Sequence, residues 1–174
     1  MKKKDLLVVV DMQNDFIDGS LGTPEAQKIV SNVVDKIANW NGDIAITKDT
    51  HSEDYLNTRE GRFLPIKHCI KDTWGWELNE DVQHILTIKS NKVIGTILKH
   101  KFGAFALTDP YCRYQTITLI GLCTDICVIS NALILKNVFP ETDIYVDSSC
   151  CAGVTPAKHE AALEVMRSCQ IEVY

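Results

Sequence analysis

The sequence lacks any apolar run long enough to span a membrane. Its first run, Leu6–Val10, follows three lysines, but it has five residues and ends at Asp11, which is too short for the core of a secretion signal. Internal repeats, low-complexity tracts and linkers are absent as well. We therefore expect a cytoplasmic protein with a single domain over residues 1–174, in which a hydrophobic content of 45% supplies a core of ordinary size.

The chain also lacks an excess of basic residues. Eighteen lysines and arginines stand against 23 aspartates and glutamates, which gives a formal net charge of -5. This balance argues against binding to nucleic acids or to anionic membranes. A small molecule or another protein is the expected partner.

Paired cysteines are a further absence. The chain has seven cysteines, an odd number, and no C-x-x-C pair, and it is longer than the small domains that disulfides stabilise. We expect reduced thiols, so each cysteine must be judged by its surroundings.

Short runs of branched residues alternate with helical patterns along the chain. Runs without alternating polarity are typical of parallel strands that are covered on both faces. Thr23-Pro24 and Thr155-Pro156 are typical helix starts. The pattern predicts a Rossmann-like, three-layer α/β/α domain with a central, mostly parallel six-stranded sheet. Its predicted strands are Leu6–Val10, Asp43–Thr47, Lys92–Ile97, Thr116–Ile120, Asp143–Val146 and Gln170–Tyr174.

Ligands of such sheets bind beyond the carboxyl ends of the strands. Three segments lie there at once: Asp11, the pair Asp49 and His51, and the stretch 121–132, which reads GLCTDICVISNA. Residues 50–80 show no clear strand and are predicted to form a long loop over the same edge, where loops are often functional.

Cys127 is the cysteine whose position favours reactivity. If Thr124 or Asp125 caps the following helix, Cys127 lies in the first turn, where the helix dipole would lower the pKa of its thiol. Cys123 ends the preceding strand, so its backbone N–H is of more interest than its sulfur. The alternative is that both are small buried apolar residues. Nothing similar marks Cys112, Cys150, Cys151 or Cys169.

Asp11 and Lys99 are the candidates for assisting a thiolate. A thiol that attacks a carbonyl needs a proton acceptor first and a proton donor for the leaving group later, and Asp11 follows a buried strand abruptly. Lys99 follows the third strand and could stabilise that carboxylate and a developing oxyanion. The alternatives are that Asp11 only ends a strand and that Lys99 is a solvated surface charge.

A metal site is the second candidate constellation. Asp49 and His51 point the same way at strand spacing, and His68 is the best third ligand. Such a set suits zinc, iron or manganese, although an Asp-x-His pair is often coincidental. Cys69 is expected to pack rather than to bind metal. The remaining histidines are expected at helix or loop surfaces: His84, His100 and His159.

Aromatic residues lie near these positions. Most are expected in the core, yet a flat substrate would need two of them as walls. The candidates are Phe16, Tyr55, Phe63, Trp74, Trp76, Phe102 and Phe105.

Six segments in register resemble the isochorismatase-like cysteine hydrolase superfamily and, within it, its nicotinamidase-like branch. The resemblance covers most of the chain. The segments are VVVDMQNDF (8–16), TKDTH (47–51), PIKHCIKDTWGWEL (65–78), LKHKFGAF (98–105), GLCTDICV (121–128) and VDSSCCAG (146–153).

The resemblance implies a catalytic triad of Asp11, Lys99 and Cys127. Cys127 would attack the amide carbonyl to give a thioester, Asp11 would carry the proton from the thiol to departing ammonia, and Lys99 would hold the charges in place. It also implies a non-proline cis peptide bond before Cys123, with the N–H groups of Cys123 and Cys127 forming an oxyanion hole.

The resemblance further implies a metal site at Asp49, His51 and His68, with zinc as the expected ion, and an aromatic wall at Phe16. Glu60 could add a carboxylate ligand. The family's usual tryptophan before the second histidine is replaced here by Leu64, and one extra residue follows. Its tyrosine and serine before Ala-Phe are replaced by Phe102 and Gly103. Both changes fall in the substrate pocket, where Leu64 and Phe102 are expected to touch the substrate.

The function implied is hydrolysis of a small amide, with nicotinamide as the best guess and NAD salvage as its setting. Two alternatives stay open at this level. The substrate could be another amide, a ureido compound or a carbamoyl compound. The protein could instead be a thiol redox or metal-binding protein without hydrolytic turnover, although such proteins need no Asp11 and Lys99. Family members often form homo-oligomers, and we expect the same here.

Overall fold

The computed structural model describes residues 4–108 and 114–174, so Cys112 lies outside the described residues. Six strands form one sheet in the order β3-β2-β1-β4-β5-β6, and every strand pair is parallel in the described part of the chain. The strands are β1 (Lys4–Val10), β2 (Asp43–Asp49), β3 (Val93–Lys99), β4 (Tyr114–Leu122), β5 (Asp143–Ala152) and β6 (Glu172–Val173). The predicted fold class and all six predicted strand positions are confirmed.

Helices cover both faces of this sheet. Three short 3₁₀ helices, at 53–57, 74–76 and 105–108, lie in the connections, and residues 124–128 form a π-helical turn. The α-helices are α1 (Asn14–Ile17), α2 (Pro24–Asn39), α3 (Arg59–Phe63), α4 (Glu80–Ile88), α5 (Ile129–Val138) and α6 (Pro156–Ser168). None of the helices within 4–108 and 114–174 has the length and apolar content that a membrane span requires.

The two long helices with Thr-Pro starts begin as predicted. Thr23 Oγ1 accepts a hydrogen bond from the Ala26 N–H at 3.0 Å, and Thr155 Oγ1 accepts one from the Lys158 N–H at 3.2 Å. Each bond satisfies an N–H that has no partner within the helix, and proline at the first position loses no bond there.

Alternate residues of β1 belong to two separate hydrophobic cores, one on each face of the sheet. Leu7 and Val9 pack against α2 and α4, whereas Leu6, Val8 and Val10 pack against α5 and α6. All five are at most 2% exposed. Burial on both faces explains why β1 reads as an unbroken apolar run, and it fixes β1 at the centre of the sheet.

Candidate active site and metal centre

Three strands bring Asp11, Lys99 and Cys127 to one point beyond their carboxyl ends. Asp11 follows β1, Lys99 ends β3, and Cys127 lies in the π turn after β4. Lys99 Nζ is 2.7 Å from Asp11 Oδ2 and 3.3 Å from Cys127 Sγ. None of the three residues is more than 5% exposed. One buried cation therefore bridges a carboxylate and a thiol.

Asp11 is held rigidly and is poised to take up a proton. Thr47 Oγ1 donates a hydrogen bond of 2.6 Å to Asp11 Oδ1, and the Asp11 N–H donates one of 3.2 Å to the Thr47 carbonyl. Burial raises the pKa of the Asp11 carboxyl, and the attraction of Lys99 offsets this only in part. A raised pKa suits a carboxylate that must accept a proton and later return it.

Lys99 keeps its charge despite its burial. Burial acts to lower the pKa of its ammonium group, but the attraction of the Asp11 and Asp49 carboxylates outweighs it, so the pKa lies above its ordinary value. The alternative that Lys99 is a solvated surface charge is excluded, because the residue is only 4% exposed.

The local structure around Cys127 differs from the predicted capped helix. The Val128 N–H bonds to the Cys123 carbonyl, five residues back, so the segment is a π turn, and we call residues 123–128 the Cys127 turn. Neither Thr124 nor Asp125 caps it, because their side chains bond instead to His159 and to the Val154 N–H.

The prediction that the pKa of the Cys127 thiol is lowered is also wrong. Burial raises the pKa of this thiol well above its ordinary value, the nearby Asp11 carboxylate raises it further, and Lys99 opposes both. The sulfur therefore rests as a thiol, and its activation requires an adjacent base.

The peptide bond between Leu122 and Cys123 is cis, as the family resemblance implies. It joins the end of β4 to the Cys127 turn. The Cys123 side chain is half-buried, and both it and Cys127 line the same cavity.

A second cluster lies beside the first and can hold a metal ion. It contains Asp49, His51, Glu60 and His68, and their four ligand atoms all lie within 4.8 Å of one another. Asp49 Oδ2 is 3.0 Å from His51 Nε2 and 3.7 Å from His68 Nε2, and Glu60 Oε1 is 3.7 Å from His51 Nε2. Nitrogen and oxygen donors that bond zinc at about 2 Å fit this spacing. Glu60 thus joins the three predicted ligands.

The surroundings of this cluster aim its donors inward. The His68 Nδ1 lies 2.9 Å from the Ile66 carbonyl, a partner that leaves Nε2 free to bind metal. Asp49 offers Oδ2 to the cluster, while its Oδ1 accepts a hydrogen bond of 3.1 Å from Lys99 Nζ. Asp49 therefore connects the two clusters directly.

Sequence reasoning missed two residues that support these clusters. Gln13 Oε1 accepts from the Asp49 N–H at 2.7 Å, and Gln13 Nε2 donates to the Asp49 carbonyl at 2.8 Å. Asp15 Oδ2 accepts from the Cys69 N–H at 2.7 Å and so fixes the residue after His68. The available signal was the alternation Asp11-x-Gln13-x-Asp15, three polar side chains directly after an apolar strand.

A cavity of about 280 Å³ opens onto both clusters. The three predicted substrate-binding residues, Phe16, Leu64 and Phe102, all line it, together with Cys127 and His68. The Phe16 ring centroid is 5.7 Å from that of His68. The lining of the cavity is mostly apolar, as expected of a pocket for a flat ring.

The other predicted positions are confirmed only in part. Cys69 is fully buried and outside the metal cluster, as expected, and His84 and His100 are exposed. His159 is instead half-buried against Thr124. The expectation that most of the aromatic residues lie in the core is wrong, because four of the seven are more than half exposed: Phe63, Trp74, Phe102 and Phe105.

The chain is similar to one protein family and to several solved structures. The model of the Isochorismatase domain family matches residues 5–174. The solved structure of nicotinamidase/pyrazinamidase from Bacillus subtilis is 27% identical, with a TM-score of 0.85 over 98% of both chains. A pyrazinamidase of Pyrococcus horikoshii in complex with zinc is 28% identical, with a TM-score of 0.77 over 98% of both chains. An N-carbamoylsarcosine amidase from Thermoplasma acidophilum is 26% identical, with a TM-score of 0.74 over 98% of this chain and 95% of that one. The chain belongs to the Isochorismatase domain family.

Proposed function

We propose that the protein is a cysteine hydrolase that converts nicotinamide to nicotinate and ammonia. The observation that carries this proposal is the contact of Lys99 Nζ with both Asp11 Oδ2, at 2.7 Å, and Cys127 Sγ, at 3.3 Å, beside a small apolar cavity. Its likeness in fold and sequence to the Bacillus subtilis nicotinamidase/pyrazinamidase supports this substrate.

The first half of the reaction forms a thioester. Asp11 takes the proton from the Cys127 thiol while Sγ attacks the amide carbon, and the carbonyl electron pair moves onto the oxygen. The N–H groups of Cys123 and Cys127 are the proposed donors to that oxyanion. When the oxyanion collapses, the C–N bond breaks, Asp11 returns the proton to the nitrogen, and ammonia leaves.

The second half hydrolyses the thioester. Asp11 accepts a proton from a water molecule that attacks the thioester carbon, and the C–S bond then breaks. Sγ takes that proton from Asp11, which restores the thiol, and the product leaves as nicotinate once its carboxyl group has given its own proton to solvent. Lys99 stays protonated throughout and stabilises Asp11 and the sulfur whenever either is negative.

The metal cluster would anchor the substrate ring. Asp49, His51, Glu60 and His68 would hold a divalent transition metal, for which zinc is our proposal because these nitrogen and oxygen donors suit it. When bound, the ion supplies a Lewis acid for the pyridine nitrogen of nicotinamide. Phe16 would stack against the ring and Phe102 would close the cavity from its exposed side.

A second candidate is a related amidase that acts on a carbamoyl or ureido compound. The Thermoplasma acidophilum N-carbamoylsarcosine amidase, with 26% identity, favours it, as do Leu64 and Phe102 in place of the usual pocket residues. The chemistry of Asp11, Lys99 and Cys127 would be unchanged.

We further propose that the enzyme works in the cytoplasm as a homo-oligomer, in the salvage of NAD precursors.

Ammonia release from nicotinamide and from a panel of small amides tests this proposal. Wild-type protein should release ammonia, Cys127→Ala should abolish the release, and Cys123→Ala should retain it, since Cys123 contributes its backbone N–H. Turnover of a carbamoyl compound but not of nicotinamide would select the second candidate. Absence of turnover on every amide of the panel would contradict the hydrolase assignment itself.

A further inference from the structure

Hydrogen bonds join the Cys127 turn to residues 153–159, at the start of α6. Thr124, the first residue of the π turn, is fully buried, and its Oγ1 lies 2.8 Å from His159 Nδ1. The hydroxyl donates to Nδ1 when that nitrogen is unprotonated and accepts from it when it is protonated, so the bond is available in both states.

A second bond joins the same two segments. Asp125 Oδ1 accepts a hydrogen bond of 2.9 Å from the Val154 N–H. Gly153 makes this close approach possible, because a Cβ at that position would lie 2.9 Å from Asp125 Oδ1 and 2.8 Å from the backbone nitrogen of His159. Two successive side chains of the turn are therefore fastened to residues 153–159.

No side chain caps the start of this π turn, and the bonds of Thr124 and Asp125 go to neighbouring segments and not to the N–H groups of the turn. These two bonds fix the position of the turn relative to residues 153–159. That position matters because the turn must keep Cys127 Sγ at 3.3 Å from Lys99 Nζ, and small misplacements of reacting groups are costly in rate.

We propose that His159 is a positioning residue that fixes the Cys127 turn through Thr124. It acts on the geometry of Cys127 and touches neither the substrate nor the metal. Its effect therefore appears in the chemical step and not in substrate binding. This inference rests on the proposed function for its kinetic readout.

The kinetic test compares His159→Ala with His159→Asn in the metal-loaded enzyme. His159→Ala should lower kcat on the amide roughly 10-fold, as expected for the loss of one hydrogen bond, while KM changes less than about 2-fold. His159→Asn places an amide near the Nδ1 position and should restore most of kcat. His84→Ala, an exposed histidine on α4, is the matched control and should leave kcat unchanged.

A double-mutant cycle separates the proposed contact from general destabilisation. Thr124→Val should lower kcat as much as His159→Ala does, Thr124→Ser should not, and the double variant should be no worse than either single variant. Additive losses, an unchanged kcat in His159→Ala, or a loss that Asn fails to restore would overturn the proposal.

Alkylation of Cys127 by iodoacetamide at pH 7, followed by peptide mass spectrometry, tests the position without any substrate. His159→Ala and Thr124→Val should slow it, because Sγ moves away from the stabilising Lys99. This readout remains decisive if nicotinamide proves not to be the substrate. Alkylation at the wild-type rate in both variants would contradict the positioning role.

Discussion

The side-chain amide of Gln13 bonds to both backbone polar groups of Asp49. Its Oε1 accepts from the Asp49 N–H at 2.7 Å, and its Nε2 donates to the Asp49 carbonyl at 2.8 Å and to the Trp76 carbonyl at 2.9 Å. Gln13 is fully buried, so each bond is made away from water. The position of Asp49, and with it the link between the metal cluster and Lys99, depends on this amide.

Gln13→Glu should therefore weaken both the fold and the metal site. The carboxylate keeps an acceptor for the Asp49 N–H, but it loses both donors and faces two carbonyl oxygens. The loss should cost about 1 to 3 kcal/mol and lower Tm by several degrees. Thermal unfolding and elemental analysis measure the two effects. Gln83→Glu, exposed on α4, is the control, and equal Tm and metal content in both variants would show that Gln13 does not position Asp49.

The sequence predicts strand ends well because their cause is local. Apolar runs stop where the chain leaves the sheet, and parallel strands end at one edge, so the order of residues alone is enough to place Asp11, Asp49 and Lys99 together. Asp11 and Lys99 are indeed in contact across three strands.

The supporting contacts could not be predicted in this way because they join distant segments. Gln13 lies 36 residues from Asp49, and Asp15 lies 54 residues from Cys69. The pKa of Cys127 depends on burial, which no local motif specifies, and the helix start alone suggested the opposite direction. His159 likewise looked like a surface residue, because the chain does not reveal that Thr124 turns toward it.

Removal of the metal should inactivate the enzyme and lower its Tm. The four ligand atoms of Asp49, His51, Glu60 and His68 lie within 4.8 Å of one another, and a cation between them would offset the charge of the two carboxylates. Dialysis against a chelator should lower Tm, and addition of zinc should restore it, because an ion that binds only the folded state stabilises it.

His68→Ala tests the same site by substitution. Elemental analysis should find about one transition metal per chain in the wild type and at most a small fraction of that in this variant, since a four-ligand site loses a buried donor. His84→Ala should keep the wild-type content. An active enzyme that contains no metal would remove the metal from the proposed mechanism.

Gly121 allows β4 to approach β1 beside the active site. Its φ is 116°, and a Cβ there would collide with the backbone carbonyl of Val10, the residue before Asp11. Gly121→Ala should destabilise the protein by about 2 to 4 kcal/mol, because a strained φ and an overpacked backbone contact add together. Urea unfolding measures this change. At Gly95 in β3 a Cβ meets no atom within 4 Å, so Gly95→Ala should change stability by less than about 0.5 kcal/mol.

The ion pair between Lys36 and Asp147 should make stability depend on pH away from the active site. Lys36 Nζ lies 2.7 Å from Asp147 Oδ2 and donates to the Tyr174 hydroxyl at 2.9 Å. Burial alone would raise the pKa of Asp147, but the hydrogen bonds from Lys36 and Ser149 outweigh it and hold the pKa below its ordinary value of 3.8. A carboxyl whose pKa is lowered on folding stabilises the fold above its unfolded pKa and loses that effect as the pH falls toward the folded value.

Lys36→Met should therefore lower the free energy of unfolding by about 1 kcal/mol at pH 7, a size expected for a partly exposed pair. The difference from wild type should shrink progressively as the pH falls below 3.8, where Asp147 is protonated in the unfolded chain. Urea unfolding of both proteins at pH 7 and pH 3 gives the two differences. The control is Lys67→Met, which removes an exposed pair with Glu53 and should have little effect at either pH. A difference between wild type and Lys36→Met that is the same at both pH values would mean that Lys36 acts through packing of its methylene groups and not through its charge.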